Sequence, residues 1–406
     1  MPTQQPRTLN IAMVSETWPP EINGVANTLH HWVEALLERG HRVQLIRPRQ
    51  AADDGAPRPS RNPRFYERLV PSVPLLSYPG LHFGMPAGRL LRQTWTQFAP
   101  DLVFIGTEGP LGNSALHTAK RMGLPAVTGF HTRFDYYSRH YRLGWFEPAI
   151  RAHLRRFHNR ADATFVPTRE LAELLARQGF HKARVISRSV DIHLFDPARR
   201  DADLRATWGA SKTTPVVLYV GRLAPEKNIE LAIRAYRAMQ TRIPELRFVL
   251  VGSGPLEQPL KQANPDLIFA GLRTAEDLAR HYASGDLFLF PSLSETFGNV
   301  VIEALASGLG IVAYDYAAAH EHLRHNENGL LAAPNDETAF IHQAVSLADQ
   351  PALLERLRQQ ARATVFELDC ARIAVRLESL FLEYARPADA SVLERHHAPV
   401  RSSDTG

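Results

Sequence analysis

Cysteine is almost absent from this sequence, since Cys370 is the single one among 406 residues. One cysteine cannot form an internal disulfide, which excludes the small disulfide-bonded secreted proteins and favours a reducing cytoplasm. Long apolar runs are absent as well, so no segment is expected to span a bilayer. The N-terminal segment lacks the apolar core of a signal peptide, because Asn10 and Ser15-Glu16 interrupt its only candidate, and export is not expected.

Complete metal-binding and dinucleotide-binding motifs are also missing. His320-Glu321-His322-Leu323-Arg324 has arginine where a zinc motif needs its second histidine, and Gly252-Ser253-Gly254-Pro255 lacks the third glycine of a dinucleotide fingerprint. Asp201-Ala202-Asp203 has the spacing of a metal-binding carboxylate pair, but it lies in an arginine-rich segment. We therefore expect no bound metal and no cofactor.

The length and the charge of the chain set broad limits. A chain of 406 residues exceeds what one hydrophobic core usually serves, so two domains are expected. Lys and Arg outnumber Asp and Glu by 47 to 42, and the formal net charge is +5. Such an excess attracts anions in general, which leaves nucleic acid, a membrane surface and phosphorylated substrates open as partners.

Short β-branched segments alternate with helical stretches in both halves, which indicates parallel α/β units. A helix is predicted from Val25 to Leu37, where apolar residues recur at helical spacing before Gly40. Ligands bind at the carboxyl ends of parallel strands, so the expected site is a cleft between two sheets. The strands are expected at residues 9–15, 43–47, 102–105, 126–130 and 164–167, and then at 216–220, 247–251, 267–270, 286–290 and 311–314.

The domain boundary is expected in the polar, turn-rich segment 195–201. This divides the chain into a first α/β domain over residues 1–195 and a second over residues 196–370. A helix is expected over residues 371–386, followed by a polar, disordered tail over residues 387–406.

The most informative segment is 290–308, where a buried strand is followed by a polar turn and by a helix that starts near Gly298-Asn299. Unpaired backbone N–H groups at a helix start attract anions, which suits a diphosphate. Glu295 lies in the turn and Glu303 lies about one turn inside the helix, so the two acids could reach hydroxyl groups on either side of bound phosphates. The alternative places Glu303 on a solvated helix face.

Two cations lie in the loop 221–228, which follows the first strand of the second half. Arg222 and Lys227 would neutralise a diphosphate at the carboxyl edge of that sheet. The alternative is a solvated loop with ordinary surface cations.

The first half carries two weaker signals. Gly24, beside Asn23, precedes the first helix and lets the backbone approach a ligand closely. His131 follows the fourth expected strand and would face the cleft. The alternatives are an ordinary glycine in a turn and a structural histidine.

Together these segments resemble the retaining glycosyltransferases of family 4, and the resemblance extends from Leu9 to Tyr384. It is carried by Gly-Arg-Leu-Ala-Pro-Glu-Lys-Asn at 221–228, Ser-Glu-Thr-Phe-Gly at 294–298 and Glu303, in that order. It implies the GT-B architecture, in which two Rossmann-like domains face each other across a cleft and a C-terminal helix crosses back to the first domain. The sequence departs from the family at Asn23 and Ser189, where glycine is usual.

The resemblance implies transfer of a hexosyl group from a nucleotide-sugar, either GDP-mannose or a UDP-hexose, with retention of configuration and without a metal. Glu295 and His131 would contact the transferred sugar, and Glu303 would bind the ribose hydroxyls. Arg222 and Lys227 would bind the diphosphate and stabilise it as it leaves. The donor would be further lined by Asn23, Gly24, Phe297, Gly298, Asn299 and Val300.

A basic and aromatic segment at 136–160 indicates a membrane acceptor, since such a segment can lie on an anionic surface. Residues 70–85 are apolar and rich in proline and glycine, as a loop dipping toward lipid would be. The segment resembles lipid-glycosylating family members, including diacylglycerol mannosyl-, glucosyl- and sulfoquinovosyltransferases. We therefore expect a lipid acceptor such as diacylglycerol and a peripheral location on the inner face of the cytoplasmic membrane. The alternative is solvated arginines with aromatics in the core.

Other functions make different predictions. A glycosyltransferase acting on a polysaccharide or a soluble sugar would not sediment with anionic vesicles. A nucleic-acid-binding protein would bind DNA in a salt-sensitive way, but it would not need the pair Glu295 and Glu303, and we expect no nucleic acid as partner. A catalytically inactive binding module is disfavoured, because no expected charged residue is missing.

Overall fold

The computed structural model describes residues 7–21, 23–50, 53, 62–74, 82–131 and 147–387. Two parallel β-sheets with flanking helices make up most of this part of the chain, which confirms the predicted α/β architecture. The strands are β1 (Asn10–Val14), β2 (Arg42–Pro48), β3 (Phe65–Val70), β4 (Ser72–Pro74), β5 (His82–Gly84), β6 (Leu102–Ile105), β7 (Ala126–Gly129), β8 (Ala163–Val166), β9 (Ala183–Val185), β10 (Val216–Val220), β11 (Arg247–Val251), β12 (Ile268–Gly271), β13 (Leu287–Phe290), β14 (Gly310–Tyr314) and β15 (Leu330–Ala332). The α-helices are α1 (Gly24–Glu38), α2 (Gly88–Phe98), α3 (Pro110–Arg121), α4 (Glu147–Arg160), α5 (Arg169–Arg177), α6 (Ala202–Thr207), α7 (Ile229–Gln240), α8 (Glu257–Ala263), α9 (Ala275–Ser284), α10 (Asn299–Ala306), α11 (Ala317–His322), α12 (Glu337–Asp349), α13 (Pro351–Thr364) and α14 (Cys370–Tyr384).

Both sheets change direction at one point in their strand order. The first sheet has the order β3-β2-β1-β6-β7-β8-β9, and the second has the order β12-β11-β10-β13-β14-β15. The loops after β1 and β6, and those after β10 and β13, therefore leave neighbouring strands in opposite directions. A crevice opens at each of these two points, and crevices of this kind bind ligands in open parallel sheets.

The ten predicted strands are all present, with ends within one residue of the predicted ones. Three edge strands, β3, β9 and β15, were not predicted. The residues of β3 and β9 are mostly exposed, so these strands lack the continuous apolar pattern by which the central strands were found. In the linker segment 195–201, a short 3-10 turn at Pro197–Arg199 precedes α6.

Helix α1, which follows β1 at the carboxyl end of the first sheet, shows how the local sequence fixes where a helix starts and ends. Asn23 caps the helix, because its Oδ1 accepts hydrogen bonds from the backbone N–H groups of Val25 (3.1 Å) and Ala26 (2.8 Å). Trp32 and other apolar residues of one face are buried against the sheet. The helix ends before Gly40, whose φ of 92° lies in the left-handed region that favours glycine.

Helix α14 crosses back to the first sheet, as the resemblance implied. Phe381 stacks on Phe165 with 5.9 Å between ring centroids and lies 5.7 Å from the ring of Phe104. Glu378 of the same helix accepts a hydrogen bond from His41 at 2.9 Å. The chain passes from the first half to the second near Val190 and returns near Leu368. These two crossings lie side by side, since the N–H of Val190 donates to the carbonyl of Leu368 at 2.9 Å.

The apolar segment 70–85 is only partly described. Strands β4 and β5 form an antiparallel pair, with Val73 opposite Phe83. Three apolar side chains of this pair and its flank are exposed, namely Val73 (48%), Phe83 (42%) and Met85 (45%). Residues 75–81, residues 132–146, which include the first part of the basic and aromatic segment, and the tail (388–406) lie outside the described residues. Within the described part of the chain, no helix is long and apolar enough to cross a membrane.

Candidate functional site

The crevice of the second sheet brings together the loops after β10 and β13. The N–H of Leu293 donates to the carbonyl of Glu226 at 2.9 Å and holds the two loops side by side. Lys227 Nζ donates to the carboxylate of Glu295, and this carboxylate also accepts a hydrogen bond from Ser292 Oγ at 2.8 Å. The Lys227 and Glu295 side chains are mostly buried, at 17% and 14% exposure. Two predicted site residues, 68 positions apart in sequence, therefore form one ion pair.

Arg222, in the same loop as Lys227, is more open to solvent. Its side chain is 41% exposed and its Nη1 lies 3.9 Å from Glu226 Oε1. The loop backbone around it is fixed, because the buried hydroxyl of Tyr219 donates to the carbonyl of Arg222 at 3.1 Å. An exposed guanidinium on a fixed loop can turn toward an anion without moving the backbone.

The start of α10 has the properties of an anion site. Gly298 precedes the helix with a φ of 93°, a left-handed conformation that is strained for other residues. No side chain in the described parts of the chain caps this helix start, so its first N–H groups are available to a ligand. Phe297 is buried beneath the turn, while Asn299 and Val300 are partly exposed.

Glu303, one turn into α10, does not lie on a solvated helix face. Its Oε2 accepts a hydrogen bond of 2.9 Å from the hydroxyl of Tyr282, a fully buried residue of α9. Burial raises the pKa of Glu303 to about 7, and the hydrogen bond from Tyr282 opposes that shift. Tyr282 was not predicted from sequence, because nothing in α9 indicates that its hydroxyl reaches a carboxylate on another helix.

The first sheet contributes Gly24 and its neighbours from the opposite side. A Cβ atom added to Gly24 would lie 3.0 Å from Arg188 Nη1 and 3.5 Å from Asn299 Nδ2, so this glycine faces the start of α10. Asn23 adjoins it, with the Oδ1 engaged in the helix cap and the Nδ2 donating to Thr17 Oγ1 at 2.6 Å. The residues predicted for donor binding are thus assembled from both halves.

His131 lies at the end of β7 and is buried, with 7% exposure. Its ring stands edge-on to Trp32, with 6.3 Å between centroids. Neither ring nitrogen has a hydrogen-bond partner among the described residues. Burial, together with the positive charge of Arg188, lowers the pKa of His131 to about 3, so the imidazole is neutral. A neutral ring offers one donor and one acceptor to a ligand.

Arg188 is a site residue that sequence reasoning missed. It follows β9 and is buried, with 5% exposure. Its Nη1 donates to the carbonyl of Gly24 (3.3 Å) and to Asn299 Oδ1 (3.2 Å), so it joins the two sides of the cleft. The one signal in the sequence is a lone arginine between the apolar residues Ile186 and Val190, both of which are buried.

The acidic pair at 201–203 has a structural explanation. Asp201 Oδ1 accepts hydrogen bonds from the N–H groups of Asp203 (2.8 Å) and Leu204 (2.9 Å) and so caps α6. Across the residues that the structure describes, no three His, Cys, Asp or Glu side chains are grouped so that they could hold a metal ion.

Two known families match the two halves of this chain. The family described as "Glycosyltransferase Family 4" matches residues 22–194, and the one described as "Glycosyl transferases group 1" matches residues 214–350. A GDP-mannose-dependent alpha-mannosyltransferase of Mycobacterium tuberculosis is 34% identical over 329 residues, which cover 80% of this chain and 83% of the relative. This chain is a family 4 glycosyltransferase.

Other relatives of this family 4 glycosyltransferase cover nearly its whole length. The alpha-monoglucosyldiacylglycerol synthase of Acholeplasma laidlawii is 24% identical over 396 residues, which cover 92% of this chain and 97% of the relative. The crystal structure of Anabaena HepE in complex with UDP has a TM-score of 0.72 at 19% identity and covers 92% of this chain and 99% of that one. The fold is therefore GT-B.

Proposed function

We propose that this family 4 glycosyltransferase transfers a hexosyl group from a nucleotide-sugar to a membrane lipid such as diacylglycerol, with retention of configuration. The observation that carries the donor side is the buried Lys227–Glu295 pair next to the uncapped start of α10. A nucleotide-sugar has a diphosphate next to a sugar, and this crevice offers cations and N–H groups next to a carboxylate. These groups match the parts of such a donor in order.

The leaving group decides the electrostatics of the reaction. Breaking the glycosidic bond of the donor leaves negative charge on the diphosphate, so fixed positive groups around it lower the barrier. Lys227, Arg222 and the N–H groups at the start of α10 would supply them. The phosphate that takes over the contact with Lys227 would leave Glu295 able to accept hydrogen bonds from the sugar hydroxyls.

The remaining contacts follow from the spacing along α10. Glu303 lies one turn beyond the phosphate-binding start and would accept hydrogen bonds from the ribose hydroxyls. His131 would contact the sugar near its reacting carbon from the first half. Because no carboxylate is arranged there as a nucleophile in the described residues, we propose that the acceptor attacks from the side of the departing phosphate, whose oxygen takes the acceptor's proton.

The donor is proposed to be GDP-mannose, with a UDP-hexose as the other candidate. The name of the mycobacterial relative supports GDP-mannose. The UDP complex of the structural neighbour supports a UDP-hexose, and the name of the monoglucosyldiacylglycerol synthase supports a glucosyl group. The predicted site residues are assigned to the sugar, the phosphates and the ribose rather than to the base, so a donor screen is needed to choose between the two donors.

Two surface features support a lipid acceptor at an anionic membrane. Helix α4 has Leu154 and Phe157 buried, while Arg155, Arg156 and Arg160 are exposed. Among the described residues no acidic side chain forms an ion pair with these three arginines, and exposed cations of this kind attract lipid phosphates. The alternative interpretation placed the aromatic residues of this segment in the core, and this is correct for Phe157.

The second feature is the exposed apolar surface of the pair β4–β5 and its flank, which carries Val73, Phe83 and Met85. Exposed apolar side chains are typical of surfaces that dip into the boundary between headgroups and acyl chains, and exposed basic ones of surfaces that bind anionic headgroups. We propose that these two features hold the enzyme on the inner face of the cytoplasmic membrane, where the lipid acceptor can enter the cleft.

The test is transfer by purified protein with GDP-mannose, UDP-glucose, UDP-galactose or UDP-glucuronate, each with and without anionic vesicles that contain diacylglycerol. We expect one donor to be consumed, and only with vesicles. Consumption without vesicles, in the presence of a soluble sugar, would instead favour the soluble-acceptor alternative.

A matched pair of variants tests the membrane surface. Arg155→Gln with Arg156→Gln should reduce sedimentation with anionic vesicles and reduce lipid-dependent transfer. Arg234→Gln with Arg242→Gln removes the same charge from exposed positions of the second half and should change neither. Equal sedimentation of the two double variants would contradict the proposed role of α4.

A further inference from the structure

Arg188 has a buried guanidinium that the protein only partly satisfies. Its two hydrogen bonds both come from Nη1, at 3.3 Å to the carbonyl of Gly24 and 3.2 Å to Asn299 Oδ1. The buried Nε atom has no partner among the described residues. A buried N–H group without an acceptor is costly, so such groups usually mark a missing water, ion or ligand.

The surroundings of Arg188 are short of negative charge. In the described parts of the chain, no carboxylate lies within ion-pair distance of it, although Glu295 is close enough to act on its charge. The guanidinium lies against the first residues of α1 and α10, the positive ends of two helices. Burial lowers the pKa of Arg188 to about 10, so it is still a cation at neutral pH.

A cation held between two positive helix ends is unfavourable unless an anion joins it. The same anion would be attracted by the guanidinium, by the uncapped start of α10 and by Lys227, whose partner Glu295 also acts on the charge of Arg188. Arg188 is also held next to this helix start, since its guanidinium carbon lies 5.7 Å above the ring of Phe297, the residue before Gly298.

We propose that Arg188 binds the sugar-bearing phosphate of the nucleotide-sugar donor, as a cation supplied by the first half of the enzyme. This inference rests on the proposed donor and adds a residue to its site. The sugar-bearing phosphate is favoured over the inner one because Arg188 lies on the side of His131, whose pKa its charge lowers, and His131 would contact the sugar.

The consequence is that donor binding joins the two halves. The phosphate would stand between Arg188, from the first half, and the start of α10, from the second half. It would give Nε the acceptor that the described residues do not supply. A purely structural brace is the competing explanation, since Arg188 already connects Gly24 with Asn299.

The experiment compares nucleoside diphosphates with nucleoside monophosphates by calorimetry. GDP, UDP, GMP and UMP are titrated into wild-type protein, Arg188→Gln, Arg188→Lys and Arg184→Gln. Arg184 is a matched control, because it is an arginine on the neighbouring strand β9 with a 47% exposed side chain. We expect Arg188→Gln to lower the affinity for the preferred diphosphate at least about tenfold, as for loss of a hydrogen bond to a charged group.

The monophosphate is the decisive arm, since it lacks the phosphate that Arg188 would bind. Its affinity should be nearly the same in wild type and Arg188→Gln, and Arg188→Lys should bind the diphosphate with intermediate affinity. Equal losses for both ligands, or no loss for either, would support the brace and overturn the proposal. If Arg188→Gln does not fold, the lysine variant carries the same comparison.

The two levels of inference can fail separately. A wild-type protein that binds neither GDP nor UDP would refute the proposed donor site itself. A wild-type protein that binds a diphosphate, with Arg188→Lys binding it equally well and a complex showing no phosphate oxygen within hydrogen-bond distance of Arg188, would refute only this inference.

Discussion

The two sides of the cleft differ in how their charged and polar groups are satisfied. On the side of the second sheet, Lys227 is paired with Glu295, and Glu303 accepts a hydrogen bond from Tyr282. On the side of the first sheet, His131 and Arg188 are buried. Both ring nitrogens of His131 and the Nε of Arg188 lack hydrogen-bond partners within the described residues.

This difference separates two ways of preparing a binding site. Groups that neutralise each other cost little in the empty enzyme, and the ligand must exchange one partner for another. Groups that are buried without partners destabilise the empty enzyme, and the ligand supplies what they lack. The second sheet holds groups that neutralise each other, and the first sheet holds buried groups without partners. Removing a residue should therefore affect activity differently on the two sides.

The largest effect is expected from the ion pair of the second sheet. Lys227→Ala and Glu295→Ala should each lower kcat by about 10²–10³-fold, the size seen when one group that stabilises developing charge is lost. Because the two side chains are partners, the double variant should lose much less activity than the product of the single losses. Steady-state kinetics with the preferred donor measures all three variants.

The control is a surface pair of the same composition. Lys261 and Glu257 form an ion pair on α8, at 2.7 Å, and their alanine variants should retain wild-type kcat. Near-normal transfer by Lys227→Ala would remove the assigned role, and strictly multiplicative losses would show that the pair acts as two independent residues.

A smaller effect is expected on the side of the first sheet. His131→Ala should lower kcat by about tenfold, because it removes one neutral hydrogen bond to the sugar. The wild-type imidazole has its pKa at about 3, so it does not titrate in the working range of the enzyme. The shape of the pH profile of kcat/KM should therefore be unchanged in His131→Asn. A titration step near neutral pH that disappears in this variant would contradict a neutral His131.

The smallest effect at neutral pH, and the most pH-dependent one, is expected at Glu303. Its pKa is raised from 4.5 to about 7, so it is protonated below that pH and ionised above it. An ionised carboxylate accepts hydrogen bonds from the ribose hydroxyls better than a protonated one does. The affinity for the nucleotide-sugar donor should therefore rise severalfold as the pH increases through 7. Glu303→Gln should flatten this dependence, and Tyr282→Phe should move its midpoint to higher pH, because it removes the hydrogen bond that opposes the shift. Calorimetry across this pH range measures each midpoint.

Stability should change in the opposite direction. The folded chain holds the proton of Glu303 more tightly than the unfolded chain does. Glu303 therefore lowers the free energy of unfolding progressively as the pH rises from 4.5 to about 7, and by the full amount above that. Glu303→Gln removes this penalty and should unfold at a higher temperature than wild type above pH 7, with a smaller difference near the lower limit. Lower thermal stability of the variant throughout would argue against burial as the cause of the shift.

The same comparison explains what could be predicted from the sequence. Lys227 and Glu295 each follow a central, strongly apolar strand, and central parallel strands place their following loops at one sheet edge. Their proximity could therefore be inferred before the fold was known. Arg188 follows β9, a short and largely exposed edge strand, yet its side chain is buried and contacts Gly24 and Asn299.

Local chemistry limited the prediction in a second way. Asn23 was recognised as a departure from the family, but its role as a cap for α1 depends on side-chain geometry. Tyr282 meets Glu303 only because α9 and α10 pack together, a tertiary contact with no local signature. The central strands and the loops after them were predictable, whereas groups that act across packed elements were not.

The two adjacent chain crossings, at Val190 and at Leu368, decide how this enzyme can be recombined with its relatives. The final helix of the chain packs on the first sheet, so cutting once near residue 195 would separate that sheet from Phe381 and Glu378. A chimera that takes a foreign second half must instead insert it between both crossings, as a segment with its two ends together. The donor preference that we propose for that half could then be exchanged while the first sheet, including the last helix, stays native.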